Sequence, residues 1–131
     1  MTQTILVVED HPTLREQIAL NLDVQGYEVL ESPTGIDSLS LLADKGRQID
    51  LILLDLGLPE MDGFEVLSRL KADPVLKTIP VLLCTARPVI DLIGGMNAGS
   101  DDYICKPFIE VELHRRIEVL LSRRSVGGGA A

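Results

Sequence analysis

An α/β fold, with a parallel sheet covered by helices on both faces, is what the order of apolar segments predicts. Short β-branched apolar runs alternate with stretches of helical period, and both kinds occur five times along the chain. The runs are continuously apolar rather than alternating, as strands buried on both faces are. A length of 131 residues fits one domain and buries most of its apolar surface without staples.

The elements follow in order. Ile5-Leu6-Val7-Val8 reads as a buried first strand, and Pro12 opens the helix after it. A proline suits the first helical turn because its missing N–H would be unpaired there anyway. Leu14, Ile18 and Leu22 mark the inward face, and Gly26 ends the helix. Tyr27 to Leu30 is a short second strand. Ser32-Pro33 starts a second helix with Ile36, Leu39, Leu42 and Ala43 facing inward. Ile49 to Leu54 is the third strand, and Asp62 caps a third helix carrying Phe64, Leu67 and Leu70. Pro80 to Cys84 is the fourth strand, its proline at the tolerated first position. Val89, Leu92, Ile93 and Met96 predict a fourth helix, and Tyr103-Ile104-Cys105 a short fifth strand. The last helix runs from Phe108 to about Arg124, burying Leu113, Ile117, Leu120 and Leu121. Residues 1–124 are expected to form the domain, and 125–131, with their run of glycines, a flexible tail.

The hydrophobic fraction of 46% and charged fraction of 24% are those of an ordinary soluble globule. A net charge of −8 argues against nucleic acid as a direct partner and fits a basic partner or a bound cation. No apolar run approaches the roughly 20 residues that span a bilayer. The N-terminus lacks the basic start and apolar middle of a signal peptide, and the two cysteines suit a reducing cytoplasm.

In open parallel sheets, ligands bind beyond the carboxyl ends of the strands. The first strand ends in Glu9-Asp10, the third in Asp55, the fourth in Thr85, and the fifth runs into Lys106. Each acid taken singly has a plain explanation, since carboxylates favour and cap helix N-termini. Asp62 keeps that explanation, and Glu31 ends an edge strand where it is simply solvated. Convergence changes the reading. Two carboxylates about 4 Å apart repel by roughly 4 kcal/mol at an effective dielectric near 20, so three at one rim need a cation. Mg²⁺ suits an all-oxygen site, keeping waters and leaving positions for phosphate oxygens. A phosphoryl group on a carboxylate there would meet Lys106 and Thr85, and positioned cations and donors supply most of the catalysis in phosphoryl transfer.

With VVEDH at Val7 to His11, LLDLGLPEMDG at Leu53 to Gly63, CTA at Cys84 to Ala86 and DDYICKPF at Asp101 to Phe108, the chain resembles the receiver domain of two-component response regulators. The resemblance runs from about Thr4 to Arg124. It implies a flavodoxin-like sheet of order 2-1-3-4-5. It implies Asp55 as phosphoacceptor, taking a phosphoryl group from a sensor histidine kinase or a histidine phosphotransfer protein. Asp10, Asp55 and the backbone carbonyl of Gly57 would be Mg²⁺ ligands, and Glu9 would hold a metal-bound water. Thr85 and Lys106 match the phosphate-contacting hydroxyl and lysine, and Tyr103 the switch aromatic that turns inward with Thr85. A cis peptide is expected before Pro107. Gly57 and Arg87 sit at positions that vary in the family and tune phosphoryl lifetime.

Gly94-Gly95 inside the fourth helix, at about 1 kcal/mol each relative to alanine, predicts that this helix frays or shifts on phosphorylation. The mixed-charge face of the last helix, Glu110 to Glu118, is a solvated surface or, with the fourth helix, an output or homodimer face. His11 is expected to cap a helix and His114 to lie on a surface. Cys84 and Cys105 end neighbouring strands as small core residues. Three rivals stand beside the receiver reading. A haloacid-dehalogenase-like phosphatase would need an aspartate where Gly57 stands. A nucleotide or flavin binder would need a Gly-rich or hydroxyl-rich loop where Glu9-Asp10-His11-Pro12 stands. A docking module would not need the intact acids, hydroxyl and lysine.

Overall fold

The computed structural model describes residues 2–61, 63–86 and 99–130, with side chains through Arg123. Five parallel strands, β1 (Thr4–Val8), β2 (Glu28–Ser32), β3 (Leu51–Asp55), β4 (Val81–Thr85) and β5 (Asp102–Cys105), form one sheet of order β2-β1-β3-β4-β5. Helices α1 (Pro12–Val24), α2 (Gly35–Lys45) and α3 (Gly63–Ala72) and a C-terminal helix (Glu110–Ala130) accompany it. The expected fourth helix, with Gly94-Gly95 and Arg87 before it, lies outside the described residues, as does the Asp62 cap.

Continuous apolar strands are explained by two cores, one on each face. Leu6, Ile52, Leu54 and Leu83 face α2 and α3, packing on Leu42, Val66, Leu67 and Leu70. Ile5, Val7, Leu51, Leu53 and Leu82 face α1 and the C-terminal helix, packing on Ile18, Leu22, Leu113, Ile117 and Leu120. Side chains alternate faces along a strand, so a strand covered on both sides has no polar positions to spare. The central strands β1, β3 and β4 are buried at every residue.

Local signals behave as their chemistry requires. His11 caps α1, its Nδ1 accepting the Leu14 N–H at 3.3 Å, and Pro12 takes the first helical position. Gly26, at φ +100°, donates its N–H to the Asp23 carbonyl and turns the chain into β2. The second helix begins later than Ser32-Pro33. Ser32 is the buried last residue of β2, and Thr34 caps α2 by accepting the Asp37 N–H at 3.0 Å.

The inward face of α2 differs from expectation. Ile36 and Ala43 are exposed, whereas Gly35, Ser38 and Leu42 are buried, with Leu39 and Leu41 partly so. The reason is close approach to α3. A Cβ at Gly35 would lie 2.8 Å from Val66 Cγ2 and 2.9 Å from the Met61 carbonyl, so this contact selects a residue without a side chain. The cysteines also separate. Cys84 is in register with Ile104 and shares its core, so the next residue, Cys105, points to the other face of the sheet.

At the amino ends of the strands, two carboxylates clasp the backbone. Asp50 accepts the Thr4 N–H at 2.8 Å while its own N–H donates to the Thr4 carbonyl at 2.8 Å. Asp101 does the same with Val81, at 2.8 and 3.1 Å.

Candidate functional site

The main acids, the hydroxyl and the lysine of the cleft sit where strands end. Asp55 closes β3 and Thr85 closes β4, while Glu9 and Lys106 directly follow β1 and β5. Glu9 prolongs the β1–β2 ladder, its N–H donating to the Ser32 carbonyl at 3.0 Å, and the Lys106 N–H donates to the Thr85 carbonyl at 2.7 Å. Parallel pairing thus brings side chains far apart in sequence to one rim. Glu9, Asp10, Asp55, Gly57, Thr85 and Lys106 line a single cleft, together with His11 at its edge.

Asp55 is 6% exposed, and both carboxylate oxygens are held. Oδ1 accepts the Gly57 N–H at 3.1 Å, and Oδ2 lies 3.4 Å from Lys106 Nζ. Its backbone is braced by α3, since a Cβ on Gly63 would lie 2.5 Å from the Asp55 carbonyl and 2.6 Å from Leu56 Cα. Only a glycine admits that approach. Gly57 is different: a Cβ there would sit 3.8 Å from Asp55 Oδ1, at ordinary contact distance, so a larger residue would stand beside the acceptor carboxylate.

Glu9 is 2% exposed and held at four points. Oε1 accepts from Lys106 Nζ at 2.7 Å and Oε2 from the His11 N–H at 3.1 Å. Its N–H goes to Ser32, and its carbonyl accepts from Arg15 Nη1 at 2.9 Å. Burial raises the Glu9 carboxyl above its usual range, the Asp55 charge adding to the rise while Lys106 and the His11 amide oppose it. Burial also works against the Lys106 charge. The hydrogen bond to Glu9 and the charges of Asp55 and Glu9 outweigh it, so the ammonium holds its proton more firmly than a free lysine.

Glu9, Asp10 and Asp55 each offer an oxygen, and these oxygens all lie within 4.8 Å of one another. That set fits a hard divalent cation, which takes carboxylate and carbonyl oxygens and keeps waters. A bound cation would oppose that rise by favouring the ionised form of Glu9. Asp10, the exposed member, faces solvent and offers an entry side.

Tyr103 lies off the cleft on β5, half-buried against the core under α2 and α3. Arg116 of the C-terminal helix stands 5.9 Å from its ring centroid and bonds both carboxylate oxygens of Asp102 at 3.1 Å. The Lys106–Pro107 peptide is cis, as expected. Arg15 escaped the sequence reading because its partner is a main-chain carbonyl, which no residue pattern displays. Glu31, expected to be solvated, pairs with Arg15 Nε at 3.5 Å. His114 is less superficial than expected: its ring lies 6.1 Å from that of Tyr27, and Nδ1 is buried.

Comparison with known proteins agrees with this geometry. The family profile described as response regulator receiver domain matches residues 5–118. The chain is 42% identical over 120 residues to the DNA-binding dual master transcriptional regulator RpaA of Synechocystis, covering 91% of this chain and 49% of that protein. It is 41% identical over 130 residues to the phosphate regulon transcriptional regulatory protein PhoB of Pseudomonas aeruginosa, covering 98% and 56%. It therefore spans about half the length of the curated relatives it matches. The receiver domain of the sensor histidine kinase PA1611 of P. aeruginosa superposes with a TM-score of 0.85 at 30% identity, covering 93% of this chain and 99% of that one; its crystal structure has a magnesium ion coordinated in the active-site cleft.

Proposed function

This chain belongs to the response regulator receiver domain family, and from that premise we propose that Asp55 is its phosphoacceptor. A receiver modifies itself transiently rather than turning over a separate substrate. The observation that carries the residue assignment is the Asp55 carboxylate, held by Gly57 N–H and Lys106 at a rim shared with two further carboxylates.

In this reading a carboxylate oxygen of Asp55 attacks the phosphorus of a phosphohistidine on a sensor kinase or phosphotransfer protein. The O–P bond forms as the N–P bond breaks, and the imidazole leaves with the bonding electrons. Lys106 passes from the carboxylates to the phosphoryl oxygens, and the Thr85 hydroxyl contacts the same group. Asp10, Asp55 and the Gly57 carbonyl, with Glu9 through a water, would hold a Mg²⁺ ion, which would supply the charge that two carboxylates and a phosphoryl group together demand. Readout follows from Thr85 and Tyr103 moving together. Arg116 links the Tyr103 ring to Asp102 at the surface, which supports an output or homodimer face along β5 and the C-terminal helix. Among the described residues no helix is long and apolar enough to cross a membrane. We read the domain as cytoplasmic, with Cys84 and Cys105 as free thiols, and residues 125–131 as a tail to the receiver unit, although the helix continues through Ala130.

The test is incubation with acetyl phosphate, with and without Mg²⁺, followed by intact-mass measurement. A Mg²⁺-dependent phosphoryl adduct is expected in the native chain and absent from Asp55→Ala. Beryllofluoride binding in the same sample separates fast hydrolysis from a failed acceptor. A folded domain that takes up neither is not a phosphoacceptor.

A further inference from the structure

Arg15 has a geometry that the phosphoacceptor reading does not use. Its side chain is 18% exposed and reaches from α1 to two places at once. Nη1 donates to the Glu9 carbonyl at 2.9 Å, and Nε lies 3.5 Å from Glu31 Oε1 on edge strand β2. The Glu9 carbonyl oxygen belongs to the peptide joining Glu9 to Asp10. Peptide groups are planar, so the direction of that oxygen fixes the plane from which the Asp10 Cα departs. Glu9 is secured by its N–H and by both carboxylate oxygens, whereas Asp10 is exposed and no hydrogen bond of its side chain is recorded among the described residues. The peptide plane therefore sets where the Asp10 Cα stands and from where its carboxylate reaches into the cleft.

We propose that Arg15 is a positioning residue for the divalent-cation site, acting through the Glu9–Asp10 peptide, with Glu31 as its anchor. The inference rests on the metal reading of the Glu9, Asp10 and Asp55 cluster and goes beyond it by naming a residue outside that cluster. Outer groups that orient ligands commonly change metal affinity by about 10- to 100-fold when removed. The Arg15 bond is to the main chain rather than to the ligand itself, so the lower end applies. Glu31 is half-exposed, and its ion pair is worth less.

Mg²⁺ affinity would be measured by calorimetric titration of the full chain, alongside urea unfolding in EDTA. Arg15→Met is expected to weaken Mg²⁺ about tenfold. Arg15→Lys, which keeps the charge with a single donor, falls between, and Glu31→Gln stays within about threefold. Asp73→Ala is the stability control, since the Asp73 side chain accepts from the Val75 and Leu76 N–H groups in the turn after α3; its Mg²⁺ affinity is expected to equal that of the native chain. Acetyl phosphate labelling of Arg15→Met at saturating Mg²⁺ is expected to recover the native rate, because Asp55 and Lys106 are untouched. Arg15→Met folding and binding Mg²⁺ within twofold of the native chain overturns the proposal, as does Arg15→Lys weaker than Arg15→Met or an equal loss in Asp73→Ala. Absence of Mg²⁺ binding in the native chain overturns the metal reading itself, which the native titration alone reveals.

Discussion

Replacing Asp10 by asparagine should make the cation-free domain more stable and the Mg²⁺-bound domain less so. The oxygens of Glu9, Asp10 and Asp55 lie within 4.8 Å of one another. A pair of like charges at that distance repels by about 3.5 kcal/mol at an effective dielectric of 20, and about 0.9 kcal/mol in bulk water. Asp10 is exposed, so the lower figure governs its two repulsions, giving about 1.7 kcal/mol in favour of removal. Against this stands the attraction of a carboxylate to the N-terminus of α1, worth about 0.3–1 kcal/mol. Repulsion wins by about 1 kcal/mol, which for a domain of this size is a rise of about 3–5 °C in Tm. Mg²⁺ reverses the order. At ten times its Kd it stabilises the native chain by about 1.4 kcal/mol, a gain that the variant, short of a ligand, obtains only at higher concentration. Thermal unfolding in EDTA and across a Mg²⁺ series checks both halves, with Ca²⁺ as a second ion. An Asp10→Asn domain less stable in EDTA than the native chain would refute the reasoning, because the carboxylate would then be making a net favourable contact that charge repulsion ignores.

Other outcomes follow from single contacts. Gly63→Ala should lose about 2 kcal/mol or more in urea unfolding, because its Cβ meets main-chain atoms that cannot rotate away, whereas Gly57→Ala should stay within about 0.5 kcal/mol. Burial pushes the Cys84 thiol up to about 12, so at pH 8 only about one molecule in ten thousand carries its thiolate, against about a quarter for an ordinary thiol. Iodoacetamide should therefore leave Cys84 unmodified in the folded domain and label it only after denaturation. Asp101→Ala orphans the Val81 N–H, a loss of about 1–3 kcal/mol, and should raise amide exchange at Val81 ahead of the rest of β4.

The sheet was legible because burial on both faces leaves strands no polar residue before their ends, which makes Leu51 to Asp55 unmistakable. The site was legible for the same reason, since each break in an apolar run falls at the rim where a ligand belongs. The face of α2 was not. Hydrophobic period points to Ile36 and Ala43, yet steric access chose Gly35 and Ser38, and small residues carry no apolar signal. Both cysteines were expected in the core, yet only Cys84 is buried, because Cys105 follows the residue in register with it and one step along a strand reverses a side chain. The Thr34 cap was missed because Ser32 is an equally good capping residue two positions earlier, claimed instead by β2. Arg15 was invisible because its bond to the site is to a main-chain carbonyl, and its side-chain partner, Glu31, lies on a different strand with no pattern to link the two.

The clasps at the amino ends of the strands have a consequence for how the domain loosens. Asp50 ties both the N–H and the carbonyl of Thr4, and Asp101 ties those of Val81, while the crowded acids lie at the carboxyl ends of β1 and β3. β1 and β4 are thus riveted at their amino ends, and β1 and β3 are electrostatically loaded at the other. Thermal opening should travel as a zip from the carboxyl ends inward, so that amides near Val8 and Asp55 exchange before those near Thr4 and Val81. Discharge of the rim, by cation or by mutation, would close the zip from the same end.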